Sequence, residues 1–180
     1  MVFRLSTDHG DSFGFTLVEL LLVIVVVAIL SSIVISVSSS AAEKGRAVRA
    51  RAELAALSSG LESYRRAYGD YPRVGRGDLL LQSLIGKRGP TGADIPGRVF
   101  VDLAHFTVEG AKDPFADATA LTVDPWGEPY QYAYKLSAAW ERPDFALFSR
   151  GPDRLSAALL PDGRYDAAAA ENRDNVYADR

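Results

Sequence analysis

One carboxylate stands inside the most apolar stretch of this chain: Glu19, within GFTLVELLLVIVVVAIL, residues 14 to 30. An ionised side chain at the centre of a membrane helix costs roughly 2.5 to 3.5 kcal/mol on insertion scales. An acid placed there is a functional residue by default, and it calls for a cationic partner. Other side chains with chemical potential are sparse. The chain has no cysteine, which removes disulfides and thiolate metal sites, and its two histidines are His9 and His105. A zinc triad is excluded. A Ser-His-Asp arrangement would hang on His105, flanked by Ala104 and Phe106, with no motif around any serine. No phosphate-cradling glycine loop is present. The expectation is a protein that is not an enzyme, with His105 a satisfied surface or core residue.

The elements that must position Glu19 follow from hydrophobic patterning. With 180 residues and a formal charge of -3, the chain has room for one modest domain plus appendages and no basic field suited to nucleic acid. From Phe15 to Val37 only Thr16, Glu19 and the serines at 31, 32 and 36 interrupt the apolar run. As a helix this segment measures roughly 34 Å, against a hydrocarbon core of about 30 Å. A secretory signal peptide fits less well. Ser38 to Ala42 would serve as a small-residue cleavage site, but the run is too long and Arg4 in the leader is balanced by Asp8 and Asp11.

Beyond the span, Ala47, Ala50, Leu54, Leu57, Leu61, Tyr64 and Tyr68 recur at spacings of three and four, one stripe of an amphipathic helix or a coiled-coil seam; with about three heptads, packing on the protein's own globular part is the favoured expectation. Gly45 and Gly60 are expected weak points, at roughly 1 kcal/mol each relative to alanine. Gly69-Asp70-Tyr71-Pro72 ends the helix. Span and stripe together predict a rod of about 54 residues, roughly 80 Å if continuous. In the head, Asp78 to Ile85 reads as a short helix with Asp78 as N-cap, and Val99 to Leu103 as a short strand. Asp124-Pro125-Trp126-Gly127 is a tight turn presenting Trp126. Tyr130, Tyr132, Tyr134 and Leu136 then alternate with Gln131, Ala133 and Lys135, the pattern of a half-buried strand; Asp144 to Ser149 and Asn175 to Ala178 are further strands. The fold class is α+β: a long N-terminal helix packed on a small antiparallel sheet.

A short polar leader ending in Gly14, followed by Phe15, Thr16, Leu17, Val18, Glu19 and an aliphatic run, resembles the N-terminal signal shared by type IV pilins and the pseudopilins of type II secretion systems. The resemblance implies a leader, 1–14, removed by a prepilin peptidase after Gly14; methylation of the new N-terminus at Phe15; a transmembrane and filament-core helix over 15–37; its amphipathic continuation over 38–70; and a globular head over 71–180. Glu19 becomes the fifth residue of the mature chain. Residues i and i+4 share a helix face, so Glu19 can meet a positive charge like the amine freed at Phe15, and the family pairs this acid with the amine of a neighbouring subunit. Such a pair offsets desolvation only when the register is right, which makes Glu19 a selector of subunit stagger. Two features run the other way. Lys44, Arg46, Arg49 and Arg51 follow the span, and the positive-inside rule alone would keep them in the cytoplasm, whereas the resemblance implies a periplasmic head. Related proteins also commonly bend this helix with a proline near residue 36, where this chain has Ser36 and no proline before Pro72.

Asp-Pro-Trp-Gly-Glu-Pro-Tyr before a strand, then Phe148-Ser149-Arg150-Gly151-Pro152-Asp153, resembles the C-terminal half of the major pseudopilins, whose terminal loop binds calcium. Carried over by position, that implies Ser149, Asp153 and Asp174 as calcium ligands; Asp162 and Asp166 are further oxygen donors without a family match. An Ala-rich insert, Ala167 to Ala170, expands the loop. The expected protein is a structural subunit of the secretion pseudopilus, anchored in the bacterial inner membrane by a single pass. It assembles with itself and other pseudopilins into a periplasmic filament that drives protein secretion. Its partners are the prepilin peptidase, the inner-membrane secretion platform and, before assembly, membrane lipid. A minor pseudopilin or pilus subunit is the alternative within the class, and a single-span protein whose head binds an envelope ligand the alternative outside it.

Overall fold

The computed structural model describes residues 15–73 and 77–179, with the side chains of residues 32–39 outside the description. The leader with Gly14, and the Ser36 to Ser39 patch, therefore lie outside the described residues. The chain divides into two compact units, one ending at Ala42 and the other running from Glu43. Helix α1 (Leu17–Tyr68) contributes to both.

In the first unit, the side chains from Phe15 to Ser31 are all exposed. Among them Leu17, Leu20, Leu21, Ile24, Ile29 and Leu30 point away from the axis on every side, with no polar face between them. Among the described residues no helix is long and apolar enough to cross a membrane; the expected span 15–37 includes positions whose side chains are not described.

In the second unit the stripe is the spine of the core. Ala50, Leu54, Leu57, Leu61 and Tyr64 are buried, and Ala47 and Tyr68 flank them half-buried. Gly69, at φ +84°, closes the helix in the left-handed conformation that glycine adopts without strain, its N–H returning to Arg65 O at 2.7 Å. Helix α2 (Gly77–Leu84) starts one residue earlier than expected, so Asp78 sits in its first turn and not at its cap. Strands β1 (Thr107–Val108) and β2 (Thr122–Val123) form a small antiparallel ladder.

The main sheet has β3 (Gln131–Ala133), β4 (Ala146–Ser149) and β5 (Val176–Tyr177) in that order, both pairings antiparallel, with Tyr132 opposite Leu147 and Ser149 opposite Val176. Alternation sends Tyr130, Tyr132, Tyr134, Phe145, Leu147 and Val176 onto the α1 stripe. The other face carries Ala133, Ala146 and Phe148, covered by Tyr165 from the long loop before β5. That loop therefore closes the outer face of the sheet, with the Tyr165 ring 5.5 Å from that of Phe148.

Two strand expectations need correction. Leu136 is 56% exposed, off the inner face, because β3 ends at Ala133 and Lys135 turns the chain at φ +48°. Val99 to Leu103 forms no strand. Phe100 N–H bonds Leu84 O at 2.8 Å, Val101 is buried among the core residues, and Leu103 opens a 3-10 turn through His105. The pairing passes to β1 instead. Gly60 explains that path: a Cβ there would stand 2.5 Å from Val101 Cγ1 and 3.3 Å from Phe100 O, so the glycine lets this segment lie against α1.

Candidate functional site

At the helix start, Glu19 is held by its own first turn. Its Oε2 accepts from Thr16 N–H and Thr16 Oγ1, each at 3.1 Å, while Thr16 Oγ1 accepts from Glu19 N–H at 3.2 Å. This is a reciprocal capping box, which satisfies two orphan donors of the helix. The signature Thr-x-x-Glu stands in the sequence at 16–19, and it is missed when the acid is read only for a charge partner. The carboxylate therefore has a local role in the single chain. It remains exposed, as does Phe15, so a cation from outside can reach it.

Where α1 enters the head, a second set of polar contacts fixes it. Buried Glu53 accepts from Tyr130 Oη and from Arg49 Nε, each at 2.6 Å, and Arg49 reaches on to Thr107 Oγ1 at 2.9 Å. Burial, and then the Glu53 carboxylate at its hydroxyl, push the Tyr130 phenol far above its ordinary range, so it stays a donor. The turn 124–127 sends Trp126 inward: its Nε1 donates to Glu43 Oε2 at 2.9 Å and the ring is buried in the core. Trp126 is thus a packing residue that joins the turn to α1.

Asp124 organises that turn. Its Oδ1 accepts from Trp126 N–H at 3.0 Å and Glu128 N–H at 2.9 Å, and its Oδ2 accepts from Ser149 Oγ at 2.5 Å. Gly127, at φ +89°, completes the turn by donating to Asp124 O at 2.9 Å. Ser149 Oγ also accepts from Gly151 N–H at 3.0 Å. So the hydroxyl of Ser149 is committed to the turn on one side and the loop after β4 on the other.

Of the three expected calcium ligands, the fold brings two together. Asp153 N–H donates to Asp174 Oδ2 at 3.1 Å, while Asp153 Oδ1 accepts from Leu155 N–H at 2.8 Å. The other carboxylate oxygen, Asp174 Oδ1, is buried with no hydrogen-bond partner. Gly151 makes this approach possible, since a Cβ there would come within 2.3 Å of Asp174 O. Asp162 and Asp166 are spent on local turns, accepting from Arg164 N–H and Ala168 N–H. Among the described residues no group of three or more His, Cys, Asp or Glu is placed to hold a metal, so any cation site here must draw on backbone and amide oxygens. His105 is exposed, with Nε2 3.5 Å from Asp102 Oδ2.

Comparison with known proteins bears on both ends of the chain. Residues 11–35 match the model of the prokaryotic N-terminal methylation motif, which brackets Gly14, Phe15 and Glu19. The type II secretion system core protein G of Pseudomonas aeruginosa is 31% identical over 140 residues, covering 78% of this chain and 83% of that protein. No solved structure matches. The methylation motif, the α+β head and the extended identity agree, and the chain belongs to the family of type II secretion system core protein G, the major pseudopilins.

Proposed function

We propose that this protein is a structural subunit of the type II secretion pseudopilus, made as a membrane-anchored precursor and assembled into a periplasmic filament. The observation that carries the reading is the first part of α1: apolar side chains from Leu17 to Leu30 are exposed around the helix, and nothing among the described residues of their own unit covers them. So large an apolar surface needs lipid or the helices of other subunits. The reading assigns removal of the leader after Gly14 and methylation of Phe15 to a prepilin peptidase. It places the segment in the inner membrane as a single pass with the head outside, and it has self-association and other pseudopilins replace lipid on assembly. The head supplies binding surface and no catalysis; the energy for assembly comes from other components.

Glu19 then has two successive roles. In the precursor its carboxylate caps α1 through Thr16. In the filament it faces the amine of a neighbouring subunit's Phe15, and a wrong stagger leaves the acid unpaired at low dielectric. The discriminating experiment is the mass of the mature N-terminus. A start at methylated Phe15 is expected; an intact Met1, or a start near Ala41, would refute assembly by this route.

Calcium is part of the proposal. Asp174 fits it best, because its Oδ1 is a buried acceptor that lacks a donor, and Asp153 lies beside it. Ser149 contributes by anchoring the loop through Asp124. A bound calcium would tie the loop after β4 to the segment entering β5. A melting temperature that rises in calcium and falls in chelator is the expected result, and an unchanged melt would remove calcium from the reading.

A further inference from the structure

Tyr165 leaves part of the sheet's outer face open. There Ala133 and Phe148 floor a cleft of about 420 Å³, lined also by Leu136, Leu159, Gln131 and Arg150. The Arg150 guanidinium is underused. Its Nη1 lies 3.5 Å from Glu128 Oε2 and its Nη2 3.5 Å from Gln131 Oε1, both at the outer limit of a contact, and its Nε is buried with no hydrogen-bond partner. An apolar cleft beside a cation with donors to spare suits an apolar group carried next to an acid. The chain presents that combination elsewhere on its head. Phe115 is 50% exposed, in the turn Asp113-Pro114-Phe115-Ala116-Asp117. The turn is braced from within and from α2. Asp113 O accepts from Ala116 N–H at 3.0 Å and Asp117 N–H at 2.8 Å, Asp113 Oδ1 accepts from Phe115 N–H at 2.9 Å, and Pro114 O accepts from buried Gln82 Nε2 at 3.1 Å. Lys87 Nζ donates to Phe115 O. An exposed aromatic ring on so braced a turn loses little freedom on binding, and such rings dominate the energetics of interfaces. Asp113, two residues away, is exposed, and its other carboxylate oxygen makes no hydrogen bond among the described residues.

We infer that Phe115 of one copy of this chain seats in the cleft of the next, against Ala133, Phe148 and Leu159, with Asp113 reaching Arg150. The inference rests on the reading that the chain polymerises, and it names a contact between heads that would hold the polymer. Turn and cleft share no residue, so each copy can offer its turn to one neighbour and its cleft to another. A contact of this kind is heterologous, and where its rotation does not close it propagates as a helical filament. The two parts have different jobs. Burial of the ring supplies affinity, whereas a rim charge pair adds little energy and fixes orientation. Other occupants match the cleft less well. A purely apolar ligand leaves Arg150 without an acceptor, and a small free acid leaves the apolar floor wet.

The chain has no cysteine, so paired cysteines report the contact directly. Ala116 and Ala158 are both exposed, one beside Phe115 and the other lining the cleft. The test uses the full chain carrying Ala116→Cys and Ala158→Cys together, assembled in cells with the rest of the secretion machinery and treated with a short bis-maleimide. A ladder of dimers, trimers and higher multimers is expected on a denaturing gel, and either cysteine alone should leave monomers. Phe115→Ser should remove the ladder and lower filament yield roughly tenfold, with membrane insertion and the thermal melt unchanged. Arg150→Glu should weaken assembly and Asp113→Arg added to it should restore assembly, a rescue that a merely structural Arg150 would not give. Filaments that form without a ladder, with Phe115→Ser at wild-type yield, would overturn the inference and leave polymerisation standing. A cross-link from Ala158→Cys to a different protein, in place of the ladder, gives the cleft to that partner and also overturns it. A wild type that makes no filament removes both.

Discussion

Asp124 is a single carboxylate on which two parts of the head depend, and removing it should be far more damaging than blunting its charge. It is 3% exposed and accepts three hydrogen bonds: two from the amides of Trp126 and Glu128, one from the Ser149 hydroxyl. Asp124→Ala leaves those three donors without an acceptor. A buried unsatisfied group costs about 1–3 kcal/mol. Glu128 is half-buried and stands at the low end, so the sum is about 4 kcal/mol, a large share of the roughly 5–15 kcal/mol that holds a domain. At roughly 3 °C per kcal/mol that is a fall of about 12 °C in melting temperature. Asp124→Asn keeps Oδ1 for both amides, and its new Nδ2 can donate to Ser149 Oγ, which uses one lone pair on Gly151. Its loss should be only about 1 kcal/mol. Denaturant unfolding of the full chain in detergent, followed by tryptophan fluorescence, measures both. If alanine and asparagine came within about 0.5 kcal/mol of each other, the turn would not be held by this acceptor and the reasoning would fail.

At the helix start, Glu19→Gln should keep the cap yet lose assembly, whereas Glu19→Ala loses both the cap, worth about 0.5–2 kcal/mol, and assembly; filament formation in cells with normal membrane insertion is the assay, and a Gln variant that assembles would dismiss the charge pair. The two helical glycines should respond with opposite signs to alanine. Gly45 has nothing within 4 Å of a Cβ and should gain up to about 1 kcal/mol, while Gly60 would press on Val101 and Phe100 and should lose about 1 kcal/mol net; thermal melts decide. Asp70 ties the end of α1 to the sheet, accepting from Tyr134 Oη at 2.7 Å and from Arg73 Nη2 at 2.8 Å. Burial raises its pKa, but bonds from Tyr134, Arg73 and Tyr71 N–H outweigh this and hold it below its ordinary 3.8. Its stabilisation is therefore complete above the unfolded value and lost as pH falls through the lower folded value, so melts of Asp70→Asn should show a shallower acid dependence than wild type below about pH 4.

What the sequence discloses depends on whether a feature repeats. The α1 stripe is legible because Ala50, Leu54, Leu57, Leu61 and Tyr64 restate one periodicity over four turns, and burial follows it. The turn at 124–127 is legible because Pro125 and Gly127 each restrict or free the backbone in a way few other residues do. Leu136 misleads because an alternating run carries no sign of where it stops; the end is set by the positive φ at Lys135, a residue type that does not announce it. Gly60 and Gly45 look alike in sequence, and only the approach of Val101 separates them. The loop between β4 and β5 is the least legible part. It is held by backbone groups and by Asn172 and Asn175, whose side-chain contacts leave no periodic or spacing signature. Ser149, Asp153 and Asp174 come forward as calcium ligands only through their positions in the family pattern. The structure gives them separate contacts: Ser149 Oγ links Asp124 to Gly151 N–H, while Asp174 Oδ2 accepts from Asp153 N–H.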